Sequence, residues 1–370
     1  MTIECRAAIA TAVGAPLEVG TVSVAPPRPG EVLIEIVATG ICHTDLTAIE
    51  GTNKACVYPA ILGHEGAGRV IDIGAGVTSV VVGDHVVPLY GPECGACAMC
   101  MSRRTNLCWS IKPQRDRGLM PDGSVRFRWR EEPVHHFMGT STFSRYTVVP
   151  EIAVAKIRHD LPFEHACLLG CGVTTGVGAA LANVRAGDDV VIFGLGGIGM
   201  NIVQGARIAG AKRIIGVDRY PSKATLAHKL GLTDFLDAGA GLRETSEAVL
   251  ELTRGGADVA FECTGIVTVM RQALDCSRAG WGTCVLLGVE PHGAEMAFPP
   301  AVLRYGRTIK GSYFGDVRGR TGLGRIADLC VEGAIEVDAL ITHRLPLDRI
   351  NEGFEMMVAG TSLRSVVVFE

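Results

Sequence analysis

"DDVVIFGLGGIGMNIVQGARIAGAKRIIGVD", residues 188–218, decides the fold. An apolar run, Val190 to Phe193, is followed at once by Gly194, Gly196, Gly197 and Gly199, then by a helical texture, then by a second apolar run that ends in Asp218. A G-x-G-x-x-G pattern alone is weak evidence. Here it stands after a strand, at the mouth of a helix, and an acid closes the next strand, which is the context a dinucleotide-binding turn requires. Glycines let the backbone approach a pyrophosphate, whose charge sits over the helix N-terminus. Asp218 is placed to accept hydrogen bonds from an adenosine ribose and to repel a 2′-phosphate, which favours NAD over NADP; Arg219 beside it pulls the other way. A glycine-rich turn without a ligand is the bland alternative. The uncharged stretch Val190 to Ala206 fits a nucleotide turn better than a membrane span, because its glycines, Asn201 and Gln204 interrupt it.

Downstream, "GADVAFECTG" (256–265) and "GTCVLLGVE" (282–290) are further buried-strand candidates bounded by glycine, so the rhythm is that of a parallel sheet wound with helices. Upstream the texture differs. "EVLIEIVAT" (31–39) and "GRVIDIG" (68–74) are β-type runs, and "PPRPG", "IGAGV" and "VVGDHV" supply turns about every ten residues. The reading is an α/β protein: a mostly-β domain over 1–172, a doubly wound parallel-sheet domain over 173–315, and a return to the first domain over 316–370 that ends in the strand "RSVVVFE". Residues 111–145 read as one long irregular connection, and such connections are uncommon unless functional.

The 370 residues exceed what one ordinary core serves, and a 48% hydrophobic, 20% charged composition is globular. A net charge of −4 without a single-sign block argues against nucleic acid or an anionic membrane as partner. The N-terminus, "MTIECRAAIATAVGAPLEV", reads as a strand rather than a signal peptide, so a cytoplasmic location is expected. In such a compartment the thirteen cysteines suit metal ligation and reduced thiols better than disulfides.

Four of those cysteines crowd into "CGACAMCMSRRTNLC" (94–108): Cys94, Cys97, Cys100 and Cys108. Gaps of two residues let successive sulfurs converge, and four thiolates close a tetrahedron around zinc, leaving no vacancy for chemistry. The lobe 93–110 is therefore read as a structural zinc site, with disulfides or an iron–sulfur cluster as the alternatives. Cys42, His64 and Cys171 stand far apart, and each alone is ordinarily a core residue. Taken together, two sulfurs and one imidazole make the three-ligand set of a catalytic zinc with its fourth place open. Their spacing does not show that they converge.

"GICHTDLT" (40–47), "ILGHEGAG" (61–68), the four-cysteine lobe, "GLMPDG" (118–123), "FMGTSTFS" (137–144), "LLGCGVTTG" (168–176), "GLGGIG" (194–199) and "LRSVV" (363–367) appear in this order. With them the chain resembles the zinc-dependent medium-chain alcohol dehydrogenases along its whole length, most closely the class III, glutathione-dependent formaldehyde dehydrogenase-like branch. The resemblance implies a GroES-like catalytic domain plus a Rossmann domain, and two zinc ions per chain. Cys42, His64 and Cys171 would bind the catalytic one. Asp45 would orient His64, and Glu65 would stand behind the metal. His43 and Arg364 would contact the pyrophosphate, Thr175 the nicotinamide, and Lys223 would join Asp218 at the ribose. Thr44 would take the substrate hydroxyl proton, with Thr47 where relatives end the relay in histidine or tyrosine. Tyr90 and Met138 would line the substrate pocket.

The family's glutathione-recognising charges are replaced here by Asn53, Ala55 and Ala279, with Lys112 standing for an arginine. Neutral groups lose the hydrogen bonds and Coulomb attraction that hold a zwitterionic tripeptide. The expectation is thus an NAD-linked zinc dehydrogenase acting on a primary alcohol (medium-chain, aromatic or terpenoid) or its aldehyde, and forming a homodimer through the region of "FPPAVLRYGRTIKGSYFG" (298–315). The alternatives are a thiol-dependent formaldehyde dehydrogenase that also reduces S-nitrosothiols, and a catalytically silent NAD-binding or structural protein of the same fold.

Overall fold

A computed structural model describes residues 2–52 and 56–370, and among them the chain forms two compact units. The first comprises Met1–Cys171, Arg318–Gly333 and Val337–Glu370; the second comprises Gly172–Val317 and Ala334–Glu336.

In the first unit a seven-stranded sheet runs in the order Val154–Lys156, His85–Pro88, Glu65–Ile73, Glu31–Gly40, Arg364–Val368, Ile341–Leu345, and Tyr146–Pro150 pairs the far half of Glu31–Gly40. Glu31–Gly40 is central because most of it is apolar and eight of its ten residues are buried, as a strand covered on both faces must be. It pairs antiparallel with Glu65–Ile73 in a register that sets Gly40 opposite Glu65. On its other side Val366 lies opposite Gly40. Residues just past Gly40, just before Glu65 and at the start of Arg364–Val368 are thereby brought to one sheet end.

A small closed barrel, Ile3–Ala10, Glu18–Val24, Phe127–Trp129, Glu132–His136 and Ala60–Ile61, completes this unit. It departs from the expectation for 111–145, which read as irregular. That segment holds the short helix Lys112–Arg115 and a hairpin whose strands close the barrel, burying Phe127 and Val134. The hairpin turns on Arg130 and Glu131, with φ of 51° and 65°. Two-residue turns of this hand usually announce themselves by Asn-Gly or Asp-Gly. An Arg-Glu turn carries no such signal.

The second unit has six parallel strands in the order Asp234–Asp237, Arg213–Asp218, Asp189–Phe193, Val259–Glu262, Thr283–Leu286, Thr308–Gly311. In chain order this is 3-2-1-4-5-6, the doubly wound arrangement whose ligand crevice lies at the strand ends where the order reverses, between Asp189–Phe193 and Val259–Glu262. No single helix among the described residues is long and apolar enough to cross a membrane.

Candidate active site

Cys42 follows the strand Glu31–Gly40 and opens the helix His43–Ile49, while His64 precedes the strand Glu65–Ile73. Cys171 ends the turn Cys167–Gly170, which packs on that same strand end: a Cβ built on Gly170 would lie 3.2 Å from the His64 carbonyl oxygen. Three elements distant in sequence thus deliver Cys42, His64, Glu65 and Cys171 to one place, with one donor atom of each within 4.8 Å of all the others.

Asp45 organises this group. It is fully buried; its Oδ1 accepts from His64 Nδ1 and from the Gly63 amide, each at 3.1 Å, and its Oδ2 accepts from the Cys42 amide at 3.2 Å. With Nδ1 so engaged, Nε2 is the imidazole's free donor, and it is buried without a hydrogen-bond partner. A buried orphan nitrogen is costly unless something binds it. Two sulfurs beside it make a cation the fitting occupant, and the donor set suits zinc. The Cys171 thiol, by donating to Cys42, holds Cys42 well below the usual thiol range, while the same bond keeps the proton on Cys171. Burial opposes a charge on His64, yet the Asp45 and Cys42 charges outweigh it and raise the ring above its ordinary value.

Glu65 is buried, and burial pushes it up to about 8 in spite of the Arg364 guanidinium paired to its Oε2. Arg364, read from the family as a cofactor contact, is 8% exposed and spends its Nη2 on Glu65 and, at 3.2 Å, on the Ile41 carbonyl. Thr44 places its hydroxyl 3.8 Å from the Cys42 sulfur, and His43 is exposed at the start of the same helix. Tyr90 stands edge-on to the His64 ring, centroids 5.7 Å apart. Met138 packs against the barrel core. Asn53 and Ala55 lie outside the described residues.

The four cysteines of the lobe bring their sulfurs within 4.8 Å of one another, all as free thiols, with 3.9 Å between Cys97 and Cys108. Amide groups favour thiolate there. The Cys97 amide donates to Cys94 at 3.3 Å, and the Cys100 and Trp109 amides bring Cys97 down to about 6. Burial holds Cys100 up at about 12 until a cation displaces its proton. This set fits a closed zinc site.

In the second unit, Gly194 turns the chain at φ 93° after Asp189–Phe193, and Gly196 precedes the helix Gly197–Ile208. Gly199 permits the helix to sit on that turn, since a Cβ there would stand 1.9 Å from the Gly194 carbonyl oxygen. A Cβ at Gly196 would meet nothing within 4 Å, so the cradle is open where a phosphate would lie. Asp218 closes the next strand; its Oδ2 accepts from the Leu195 amide and from Lys223 Nζ, both at 2.8 Å. Thr175, on the helix Gly172–Asn183, has a buried hydroxyl without a partner, and Arg219 stacks on the Tyr220 ring at 4.8 Å. These features fit a dinucleotide.

Glu262 escaped the sequence reading. It is fully buried at the end of Val259–Glu262, where it accepts from the Thr264 amide at 2.6 Å and the Gly265 amide at 3.1 Å. Thr264 in turn abuts Gly194, its Cγ2 2.8 Å from a Cβ built there, so the acid braces the cradle from the neighbouring strand. An acid followed two residues on by Thr-Gly at a buried strand end was the available signal.

The alcohol dehydrogenase GroES-like domain matches residues 28–159, and the zinc-binding dehydrogenase domain matches residues 197–327. The chain is 51% identical to a protein of Paracoccus denitrificans named S-(hydroxymethyl)glutathione dehydrogenase, over 99% of this chain and all of that one. It is 50% identical to an alcohol dehydrogenase class-3 of Cereibacter sphaeroides over the same shares. The crystal structure of benzyl alcohol dehydrogenase from Acinetobacter calcoaceticus superposes with a TM-score of 0.92 at 30% identity, covering both chains completely. Two metal-ready thiol clusters, a dinucleotide cradle and likeness along the whole chain converge, and the protein belongs to the zinc-dependent medium-chain alcohol dehydrogenases, on their class III branch.

Proposed function

We propose that this enzyme oxidises the hydroxymethyl adduct that formaldehyde forms with a small thiol, with NAD as hydride acceptor. The observation that carries the reading is the 51% identity, over 99% of the chain, to an S-(hydroxymethyl)glutathione dehydrogenase. It displaces the sequence-based preference for a primary alcohol, which rested on lost charges rather than on the whole chain.

Zinc and NAD supply, when bound, a Lewis acid for an alcohol oxygen and an acceptor for hydride. The chain's own residues do the rest. Cys42, His64 and Cys171 hold the cation, and Asp45 fixes the tautomer of His64 by occupying Nδ1. Arg364 pairs with one oxygen of Glu65, whose other oxygen is buried without a partner in the same donor group, so the carboxylate would stand behind the cation that Cys42, His64 and Cys171 would hold. Thr44, beside Cys42, receives the substrate's hydroxyl proton, and Tyr90 walls the site against the imidazole. Gly194, Gly196, Gly197 and Gly199 cradle the pyrophosphate, Asp218 and Lys223 take the ribose, and Thr175 meets the nicotinamide. In the second unit the edge strand Thr308–Gly311 has one side unpaired among the described residues, which suits a homodimer.

A primary alcohol is the second reading. It is favoured by Lys112, whose ammonium is already paired with Asp116, by the exposed and uncharged Ala279, and by the likeness to benzyl alcohol dehydrogenase. NADH formation from formaldehyde, measured with and without glutathione and other thiols, and compared with a panel of aliphatic and benzylic alcohols, decides between them. Thiol-dependent turnover of formaldehyde is the expected outcome. Turnover of free alcohols with no thiol effect overturns it.

A further inference from the structure

We propose that Thr140 is a positioning residue for the imidazole ligand: its hydroxyl, through the Gly63 carbonyl, fixes the peptide that carries His64. The inference rests on the zinc reading above. His64 stands immediately before the strand Glu65–Ile73, so the direction of its ring depends on the backbone of Gly63. Gly63 has a φ of 87°, and a Cβ there would lie 2.6 Å from the Phe143 ring and 2.7 Å from the Phe143 amide nitrogen. Only glycine fits, and glycine is the residue that backbone sterics hold least firmly. Its orientation must be imposed from outside.

Three groups impose it. The Gly63 amide donates to Asp45, the same oxygen that receives His64 Nδ1. The Gly63 carbonyl accepts from Thr140 Oγ1 at 3.0 Å and from the Thr142 amide at 2.9 Å, and the Phe143 amide donates to the Leu62 carbonyl at 3.0 Å. Thr140 is fully buried and shares its proton with the Phe137 carbonyl at 3.2 Å. Its loop is contorted, since Met138, Gly139 and Ser141 have φ of 54°, 73° and 50°. Non-glycine residues hold that region only where surroundings insist, and such strain clusters at functional sites. Here the Phe137 amide donates to Ser141 Oγ at 2.9 Å, and Thr147 Oγ1 donates to the Thr140 carbonyl at 2.7 Å. The same loop sets the Phe137 ring edge-on to His64, centroids 6.4 Å apart. A loop that merely filled the barrel rim would have no need to aim a hydroxyl at the residue before a ligand.

Thr140→Val removes the donor and keeps the shape, while the Thr142 amide still caps Gly63, so the chain should fold. Zinc release from the purified full-length enzyme to a chelating dye, without substrate or NAD, reads the effect apart from turnover. The wild type is expected to release two ions per chain in two phases, the open site first. In Thr140→Val the first phase accelerates about tenfold to a hundredfold, the scale of a lost outer partner of a metal ligand. The second phase is unchanged, kcat falls with KM nearly constant, and Thr140→Ser restores both. Val134→Ala, in the same barrel core, gives a destabilised control whose first phase stays at the wild-type rate. Equal first-phase rates in wild type and Thr140→Val, or both phases accelerating together, overturn the positioning role. A wild type that holds a single ion overturns the zinc reading itself, and the positioning role with it.

Discussion

Thr44 and Thr47 share the short helix His43–Ile49, yet their hydroxyls are committed differently. Thr44 lies beside the Cys42 sulfur, whereas Thr47 Oγ1 donates to the Thr44 carbonyl at 2.8 Å, an ordinary back-bond within a helix. On the proposed function, a substrate hydroxyl beside Cys42 would pass its proton to Thr44 rather than to Thr47, with water for any later step. Thr44→Ala should lower kcat by about 10²–10⁴, the usual worth of a positioned proton acceptor, while Thr47→Ala stays near wild type. Steady-state kinetics of the two variants check this; equal losses would remove Thr44 from its special place. At this scale the sequence was most informative about the four-cysteine lobe, whose short gaps let the sulfurs converge, whereas Cys42, His64 and Cys171, far apart and each ordinary alone, were joined only by the family resemblance. The sequence was silent on Thr140 and Glu262, which act by hydrogen-bonding backbone. Threonines and acids of that kind look like any others until the fold shows which carbonyl or amide they face.

At the scale of elements, the hairpin Phe127–His136 is fastened by a buried ion cluster. Arg126 is 2% exposed; its Nε donates to Glu31 at 2.9 Å, its Nη2 reaches Asp122 at 2.9 Å, and its amide donates to His136 Nε2 at 3.2 Å. Arg126→Met would leave Glu31 buried without its partner, at a cost of about 3–5 kcal/mol, measurable by denaturant unfolding. Burial and the nearby guanidinium push His136 down to about 3. The ring is thus neutral in the folded chain at a pH where the unfolded chain, near 6.5, already binds a proton. Stability from this group is complete above about pH 6.5 and declines as pH falls toward 3, by about 2 kcal/mol at pH 5. His85, also lowered by burial, adds to the same window. Asp122, held well below the usual carboxylate range despite partial burial by Ser124 and the two arginines, acts lower: its contribution persists until pH drops beneath that of an ordinary aspartate. Melting curves from pH 7 to 4.5 should show a smaller slope for His136→Gln, which keeps the acceptor and loses the titration. An unchanged slope would contradict the assignment. The two wound-sheet signals, glycine turn and acid-terminated strand, were legible in sequence because a parallel sheet writes continuous apolar runs. This hairpin was not, because its turn is made of arginine and glutamate and its strands are edged with charge.

For the whole molecule, the proposed function divides labour between the two metal-ready clusters: Cys94, Cys97, Cys100 and Cys108 would hold shape, and Cys42, His64 and Cys171 would hold the catalytic cation. Replacing Cys97 with serine should lower the zinc content from two ions to one and the melting temperature with it, whereas Cys171→Ser should lower the zinc content and abolish turnover with a smaller thermal penalty; elemental analysis and calorimetry separate the cases. The substrate's identity was the least legible property, since it depends on a few charges at Asn53, Ala55, Lys112 and Ala279 rather than on any repeating pattern. The pairing of Arg364–Val368 with Glu31–Gly40 has a consequence for biosynthesis. A ribosome releases the entire nucleotide module, able to begin folding, before it has made the strand that the central sheet needs beside Gly40. The strand Arg364–Val368 must therefore be made before the metal-holding half can close, and a nascent chain stalled just short of it would carry a cradle for NAD and an unfinished central sheet.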